Sequence, residues 1–459
     1  MTAWERAAIA QLQQATGLAG GAFAIIQNGA LRTECFGLAD KETGRPITED
    51  SMFDIASNSK AFTSMLGAIA ASRELLDWDA PVKRYVPDFD MTDPYAGERV
   101  TLRDFGCHRT GLARHEFMRA RVYTSIEDMA LRTRHMEMDR GFRESYRYNN
   151  QGFIVLGHVM ERVLGKPWEQ AVLDEIAEPL GMTMRFRGRD CDFSGLDCAL
   201  PHRTDCKGGS FRCAYADNHV AGPCGGVRTN LRGMVSWLRC LLAEGAPLCA
   251  PEHFRELTRT NIPTDDGSGR ELCCGYGLGW RTSAYRGRRL IYHGGSIQGF
   301  NSHVGFCPEE GWGFVILMNT SSTWSAAILR DVLLDELCGA PPRDIEPEIA
   351  EWRQAMSGGS AVLEAAHAGK PLDAGAKALF CGRFYHPAYD DFTVFEQADA
   401  VWLDYGNFRA KVTLQPDGTA LACEEDAVPD WMKLRSAPEG LEVQTSDLRM
   451  WLPFRRVEY

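Results

Sequence analysis

The run from Ala61 to Ala71 (Ala-Phe-Thr-Ser-Met-Leu-Gly-Ala-Ile-Ala-Ala) is apolar on nearly every side of a helix, so it has to be buried and the fold has to assemble around it. Just ahead of it stands Phe53-Asp54-Ile55-Ala56-Ser57-Asn58-Ser59-Lys60, with Asp54 and Ser57 as candidate caps. Residues at i and i+3 share a helix face, so Ser57 Oγ and the Lys60 amine can touch. An amine held out of water near the positive end of the helix dipole is placed to take the serine proton, which makes a nucleophile from two residues of one turn. Ser-x-x-Lys alone recurs by chance about once in a chain of this length, and a capping serine followed by a lysine that reaches to solvent fits the same letters. The surrounding chain has to decide between them.

With 459 residues the chain exceeds one hydrophobic core, so two domains are expected. The excess of 62 acidic over 50 basic residues, a net charge of −12, argues against nucleic acid or an anionic membrane as partner. Residues 1–16 carry charge and glutamine where a signal peptide needs an apolar core, and no later stretch reaches transmembrane length. The expectation is a cytoplasmic protein acting on a small-molecule or peptide substrate, with no cofactor and the oligomeric state open. Among fifteen cysteines, Cys191, Cys198, Cys206 and Cys213 surround His202 at gaps that do not match the tight pairs of structural zinc sites, so no metal is expected there.

Helical spacing of Trp4, Ala8, Ile9 and Leu12 predicts a first helix, ended by Thr16 to Gly21. Two strand-like runs, 22–26 and 31–36, follow around Asn28-Gly29, a strong hairpin signal. Pro81 starts and Pro87 ends a short helix, Thr101 caps another, and 152–164 is strongly helical. Three further strands are predicted at 289–293, 303–306 and 313–318, and a helix at 325–337. The first domain, 1–340, is therefore α/β (α+β): one antiparallel sheet with strands from both ends, flanked by helices, with an all-helical block inserted. Residues 341–375 are rich in Pro, Gly, Ala and Glu, with some helical character, and read as a linker. Six short alternating runs between 380 and 454 then predict a small all-β sandwich or barrel over 376–459 that shapes access to the cleft without supplying catalytic groups.

A serine–lysine pair also needs a second proton carrier, groups that fix the acyl part and an oxyanion hole. Tyr148-Asn149-Asn150 offers a phenol and an amide on one loop; His293-Gly294-Gly295-Ser296 ends a predicted strand with glycines that leave the backbone open. Ser57-x-x-Lys60, Tyr148-x-Asn150 and His293-x-Gly295, in that order, resemble the three signature motifs of the serine β-lactamase and penicillin-binding-protein superfamily, in its class C-like branch of esterases, D-aminopeptidases and related peptidases. Flanking words agree: Cys107-His108-Arg109-Thr110-Gly111-Leu112, Glu178-Pro179-Leu180-Gly181-Met182, Gly225-Gly226-Val227 and Tyr276-Gly277-Leu278-Gly279-Trp280. The C-terminal region resembles the lipocalin-like barrel that some members append.

The resemblance implies Ser57 as acylated nucleophile, Lys60 as its proton acceptor and Tyr148 as proton relay to the leaving group. It implies Asn150 as partner of Lys60 and of the substrate amide, and the backbone N–H groups of Ser57 and Ser296 as oxyanion hole. His293 stands where many members carry lysine, and histidine supplies no constant charge at neutral pH. That favours an esterase, amidase or peptidase over a β-lactamase, with the preference for D-amino-acid-containing substrates left open, while the intact motifs speak against a non-hydrolytic sensor that kept the fold.

Overall fold

This computed structural model describes the chain except residues 121–124, 188–194, 205–208, 216–220, 266–269, 425–429, 449 and 458–459. Helix α1, Ala3–Thr16, is closed at its start by a Thr2–Glu5 capping box and at its end by Gly17 in the left-handed region. Strands β1 (Gly20–Gln27) and β2 (Ala30–Asp40) form the predicted hairpin. Asn28 and Gly29 both have positive φ, 52° and 80°, as a tight two-residue turn of this hand requires.

Seven more strands complete an antiparallel sheet: β3 (Arg45–Pro46), β4 (Ile262–Pro263), β5 (Glu271–Tyr276), β6 (Arg281–Tyr285), β7 (Arg288–Ile297), β8 (Phe300–Cys307) and β9 (Trp312–Met318). Their spatial order is β3-β2-β1-β9-β8-β7-β6-β5-β4, so the two ends of the domain meet where β1 pairs with β9, Ala24 opposite Val315. Strand periodicity sorts the side chains of β1 into two layers. Phe23 and Ile25 join Leu12 of α1 and Leu329 and Val332 of α5 (Thr323–Leu337) on one face. Ala22, Ala24 and Ile26 join the larger core on the other, with α2 (Ser59–Ser72) and α4 (Leu231–Leu242). Every residue of α2 from Ser59 to Ala70 is buried, and Phe62 stacks on Trp237 of α4 with ring centroids 4.4 Å apart. Helix α3, Gln151–Leu164, belongs to the inserted helical block and packs against α2.

Residues 341–375 carry more order than their composition suggests: α6 runs over Glu346–Ala368, with Ile349 and Trp352 buried, and α7 over Ala374–Phe380. Beyond them lies a closed barrel of eight strands rather than six. Six correspond to the expected runs; the two additional strands are Ala420–Cys423 and Trp431–Ala437. Strand Gly382–His386 pairs with Leu452–Val457 and closes the ring, which removes the open edges. The barrel sits on the segment that follows His115. Phe117 meets Phe408 at 5.0 Å between ring centroids, Asn407 N donates to Ala120 O at 2.7 Å, and His115 Nδ1 and the Tyr389 hydroxyl share a 2.8 Å hydrogen bond.

Among the described residues no helix is long and apolar enough to cross a membrane. Cys191 and Cys206 lie outside the described residues, and no group of His, Cys, Asp or Glu suited to a metal ion occurs within them.

Candidate active site

Ser57 lies in a 3-10 turn, Ala56–Asn58, that leads directly into α2. Two expected caps have other roles. Asn58 is the residue at the N-cap, with no side-chain capping bond, and Asp54 turns away to pair with Arg187 Nη2 at 2.5 Å and Arg228 Nε at 2.6 Å. Burial alone would raise the Asp54 carboxyl, but the two guanidiniums outweigh it and hold the pKa below the usual range. Ala56 has φ +49°, a strained conformation for a residue with a Cβ, directly before the serine. Hydrogen bonds fix that turn: Ser302 Oγ donates to Ile55 O at 2.7 Å, and Ser59 Oγ to Ala56 O at 2.7 Å.

Three acceptors surround Lys60 Nζ: Ser57 Oγ at 3.1 Å, Asn150 Oδ1 at 2.6 Å and Cys224 O at 2.9 Å. The amide oxygen and the carbonyl can only accept, so they claim two N–H groups and leave the third position of the nitrogen facing Ser57. Tyr148 OH lies 2.9 Å from the same Oγ, and Lys60 Nζ sits 4.9 Å from the centre of the Tyr148 ring. Lys60 is fully buried, while Ser57 and Tyr148 stay partly open to the cleft. Asn150 directly precedes α3, which sets its amide toward Lys60.

His293, Gly294, Gly295 and Ser296 lie within β7, which continues to Ile297 instead of ending at His293. A Cβ on Gly295 would fall on Ile55 O and Ser302 Oγ, so only glycine lets this strand pass against the serine turn. Ser57, His293, Gly295 and Ser296 line one cleft of about 490 Å³ together with Tyr148 and Asn150. The structure thus brings together all seven residues singled out from the sequence.

His293 is buried and bonded at both ring nitrogens, Nδ1 to Gly294 O at 2.7 Å and Nε2 to the Tyr276 hydroxyl at 2.8 Å. A carbonyl can only accept, so Nδ1 carries the proton and Tyr276 donates to Nε2. Burial, then the nearby charges of Lys60 and Arg281, push the His293 pKa well below its ordinary value. The position supplies shape and a hydrogen-bond chain, not charge.

The β-lactamase family profile matches residues 6–337. This chain belongs to the β-lactamase family. The unguisins hydrolase ungD' of Aspergillus campestris is 25% identical over 412 residues, which cover 84% of this chain and 76% of that protein. The octameric penicillin-binding protein homologue from Pyrococcus abyssi superposes with a TM-score of 0.67 at 19% identity, over 97% of this chain and 98% of that one. A structure of SurE with D-Leu gives 0.59 at 19% identity, over 99% and 100%. The two structural likenesses cover the barrel as well as the family domain.

In this β-lactamase-family protein the sequence reading missed a further layer around Asn150. Glu116 accepts from Asn150 Nδ2 with both carboxylate oxygens, each at 2.9 Å. Arg119 contacts the same carboxylate and Arg114 lies 3.5 Å from it. Burial would raise the Glu116 pKa, but the neighbouring charges of Arg119 and Arg114, with the Asn150 hydrogen bond, hold it below the ordinary value. A carboxylate can only accept, so it fixes the Asn150 amide with its oxygen toward Lys60. Glu116 is itself held from the barrel, since its backbone N–H donates to Asp447 Oδ2. A single glutamate in an irregular loop carries no periodic signal, and its link to Asp447 spans 331 residues of sequence. Tyr276 was visible only as part of the Tyr-Gly-Leu-Gly-Trp word.

Proposed function

We propose that the protein is a serine hydrolase that works through a Ser57 acyl-enzyme on amide, peptide or ester substrates, D-amino-acid peptides included. One observation carries the reading: Lys60 Nζ and Tyr148 OH converge on Ser57 Oγ at 3.1 and 2.9 Å inside a cleft. Two proton carriers on one hydroxyl have little structural use, and a buried lysine that only needed partners would not need a serine at the cleft surface.

In this mechanism Ser57 Oγ attacks the substrate carbonyl carbon as its proton passes to Lys60 Nζ. The carbonyl oxygen becomes an oxyanion, received by the backbone N–H groups of Ser57 and Ser296. The intermediate collapses with cleavage of the bond to nitrogen or oxygen, and the leaving group departs with a proton delivered through Tyr148. Water then adds to the acyl carbon, gives its proton back through Tyr148 and Lys60, and frees the acid and Ser57. Asn150 holds Lys60 throughout through its Oδ1, its Nδ2 being engaged by Glu116.

The buried, uncharged His293 favours esters and aminoacyl amides over β-lactams, whose carboxylate gains nothing from it. Similarity to a protein named as a hydrolase of unguisins supports the hydrolase part of the reading, and similarity to one solved with D-Leu its D-amino-acid part. A panel of p-nitrophenyl esters, D- and L-aminoacyl anilides and a chromogenic cephalosporin, run with native protein and Ser57→Ala, tests it. Turnover of esters or anilides that vanishes in the variant is expected. Turnover unchanged in Ser57→Ala, or a cephalosporin as the best substrate, contradicts it.

A further inference from the structure

A second cleft, of about 710 Å³, opens beside the Ser57 cleft and shares Arg114 and Tyr148 with it. Five arginines line it, Arg109, Arg114, Arg140, Arg143 and Arg147, against the carboxylates of Glu144 and Asp265. Three of the five are committed to acids behind the wall. Arg109 and Arg143 bond Asp104 at 2.6 and 2.7 Å, and Arg147 bonds Asp139 at 2.6 Å. The other two are differently placed. Arg140 is exposed, and its hydrogen bond goes to a neutral acceptor, Asp139 O, at 3.2 Å.

Arg114 has its nearest carboxylate, that of Glu116, 3.5 Å away, and that group already carries Arg119 and the Asn150 amide. Its Nε is buried without a hydrogen-bond partner, while the side chain as a whole remains 40% exposed over the Tyr148 ring. Ser145 Oγ, on the same wall, is also buried without a partner. A protein of net charge −12 repels anions at long range, so guanidiniums that reach no carboxylate closer than 3.5 Å at the mouth of its cleft mark a place where an anion is received. His293 cannot do this, because it is uncharged and both its nitrogens are engaged.

We propose that this arginine-walled cleft is a subsite for a carboxylate on the leaving part of the substrate, held by Arg114 and Arg140 while the scissile bond lies over Ser57. The inference rests on the serine-hydrolase reading above. Tyr148, the proton donor to the departing group in that reading, borders both clefts, which assigns the anion to the leaving side. The planar guanidinium suits a carboxylate because it can donate two parallel hydrogen bonds.

The test uses the full-length protein and matched acyl-amino-acid substrates that differ only in a free carboxylate or its amide on the leaving residue. The expected kcat/KM is about tenfold or more higher for the acid, the size of a charge-assisted hydrogen bond. The ratio falls toward one in Arg114→Gln/Arg140→Gln and recovers in part with Arg114→Lys. Added salt erodes the rate for the acid and leaves the amide unchanged. Equal rates for acid and amide in the native protein, or a preference that survives the double variant, overturn the proposal. Should the double variant fail to fold, salt decides: an acid-to-amide ratio that ignores ionic strength overturns it. Failure of the underlying reading has a different signature, no turnover of either substrate and no fluorophosphonate label on Ser57, and it removes both.

Discussion

Glu116→Gln tests whether the layer behind Asn150 sets the position of Lys60. Native Glu116 offers two charged acceptors to Asn150 Nδ2 at 2.9 Å each; glutamine keeps one neutral acceptor and places an NH2 group against Arg119. Replacing a charge-assisted bond by a neutral one and freeing the Asn150 amide to turn costs about 2 kcal/mol, or roughly 30-fold in the rate of Ser57 acylation. Arg119 is 29% exposed, so the loss of stability stays below the ~3–5 kcal/mol of a fully buried broken pair. Asp447→Asn keeps an acceptor for the Glu116 N–H and should acylate at nearly the native rate. Asp447→Ala removes it and should slow acylation in the same direction by a smaller factor. Stopped-flow acylation by a p-nitrophenyl ester, paired with thermal melts, reads both effects. Glu116→Gln that acylates at the native rate with an unchanged melt refutes the argument, and with it the idea that the barrel reaches the site through Asp447.

Gly295→Ala drives a Cβ onto Ile55 O and Ser302 Oγ; overpacking of this kind costs about 1–3 kcal/mol, and fluorophosphonate labelling should fall far more than the melting temperature. Asp54→Ala strands Arg187 and Arg228 in the interior and should destabilise by about 3–5 kcal/mol in chemical denaturation. Because the folded Asp54 pKa is depressed, its contribution is present above the unfolded pKa near 4 and is lost as pH falls through the folded value, so the native protein should lose more stability than the variant in acid. The His293 pKa is also depressed, so the residue stays uncharged as pH falls through 6.5; no rise in rate toward carboxylate substrates should appear there, and a rise abolished by His293→Asn would contradict this.

The convergence of Ser57, Lys60, Tyr148, Asn150, His293, Gly295 and Ser296 was legible in the sequence because each of the three words rests on short spacings within one turn, one loop or one strand. The sheet was legible for a related reason: continuous apolar runs over 22–26 and 313–318, set between turn residues, mark strands buried on both faces, although not that Ala24 faces Val315. Ala420–Cys423 escaped because it is only four residues long and two of them are alanine, which carries little strand propensity. Trp431–Ala437 does alternate, Met432 and Leu434 buried against Lys433 and Arg435, but lies beyond a stretch of acidic and turn residues that masked it. The helix over Glu346–Ala368 contains Gly358 and Gly359, whose low helix propensity made the segment read as a linker. Glu116, Asp447 and the Asp54–Arg187–Arg228 group were not legible at all. Their partners are distant in sequence, and long-range ion pairs leave no local pattern.

Acylation of Ser57 is the step on which the proposed hydrolysis rests. Peptide mapping by mass spectrometry after reaction with a fluorophosphonate probe, and separately after quenching with a slowly hydrolysed ester, tests it most directly. One adduct per chain is expected on the peptide containing Ser57, absent in Ser57→Ala and strongly reduced in Lys60→Ala, with a smaller reduction in Tyr148→Phe. An adduct on another residue, or an undiminished one in Ser57→Ala, would contradict it.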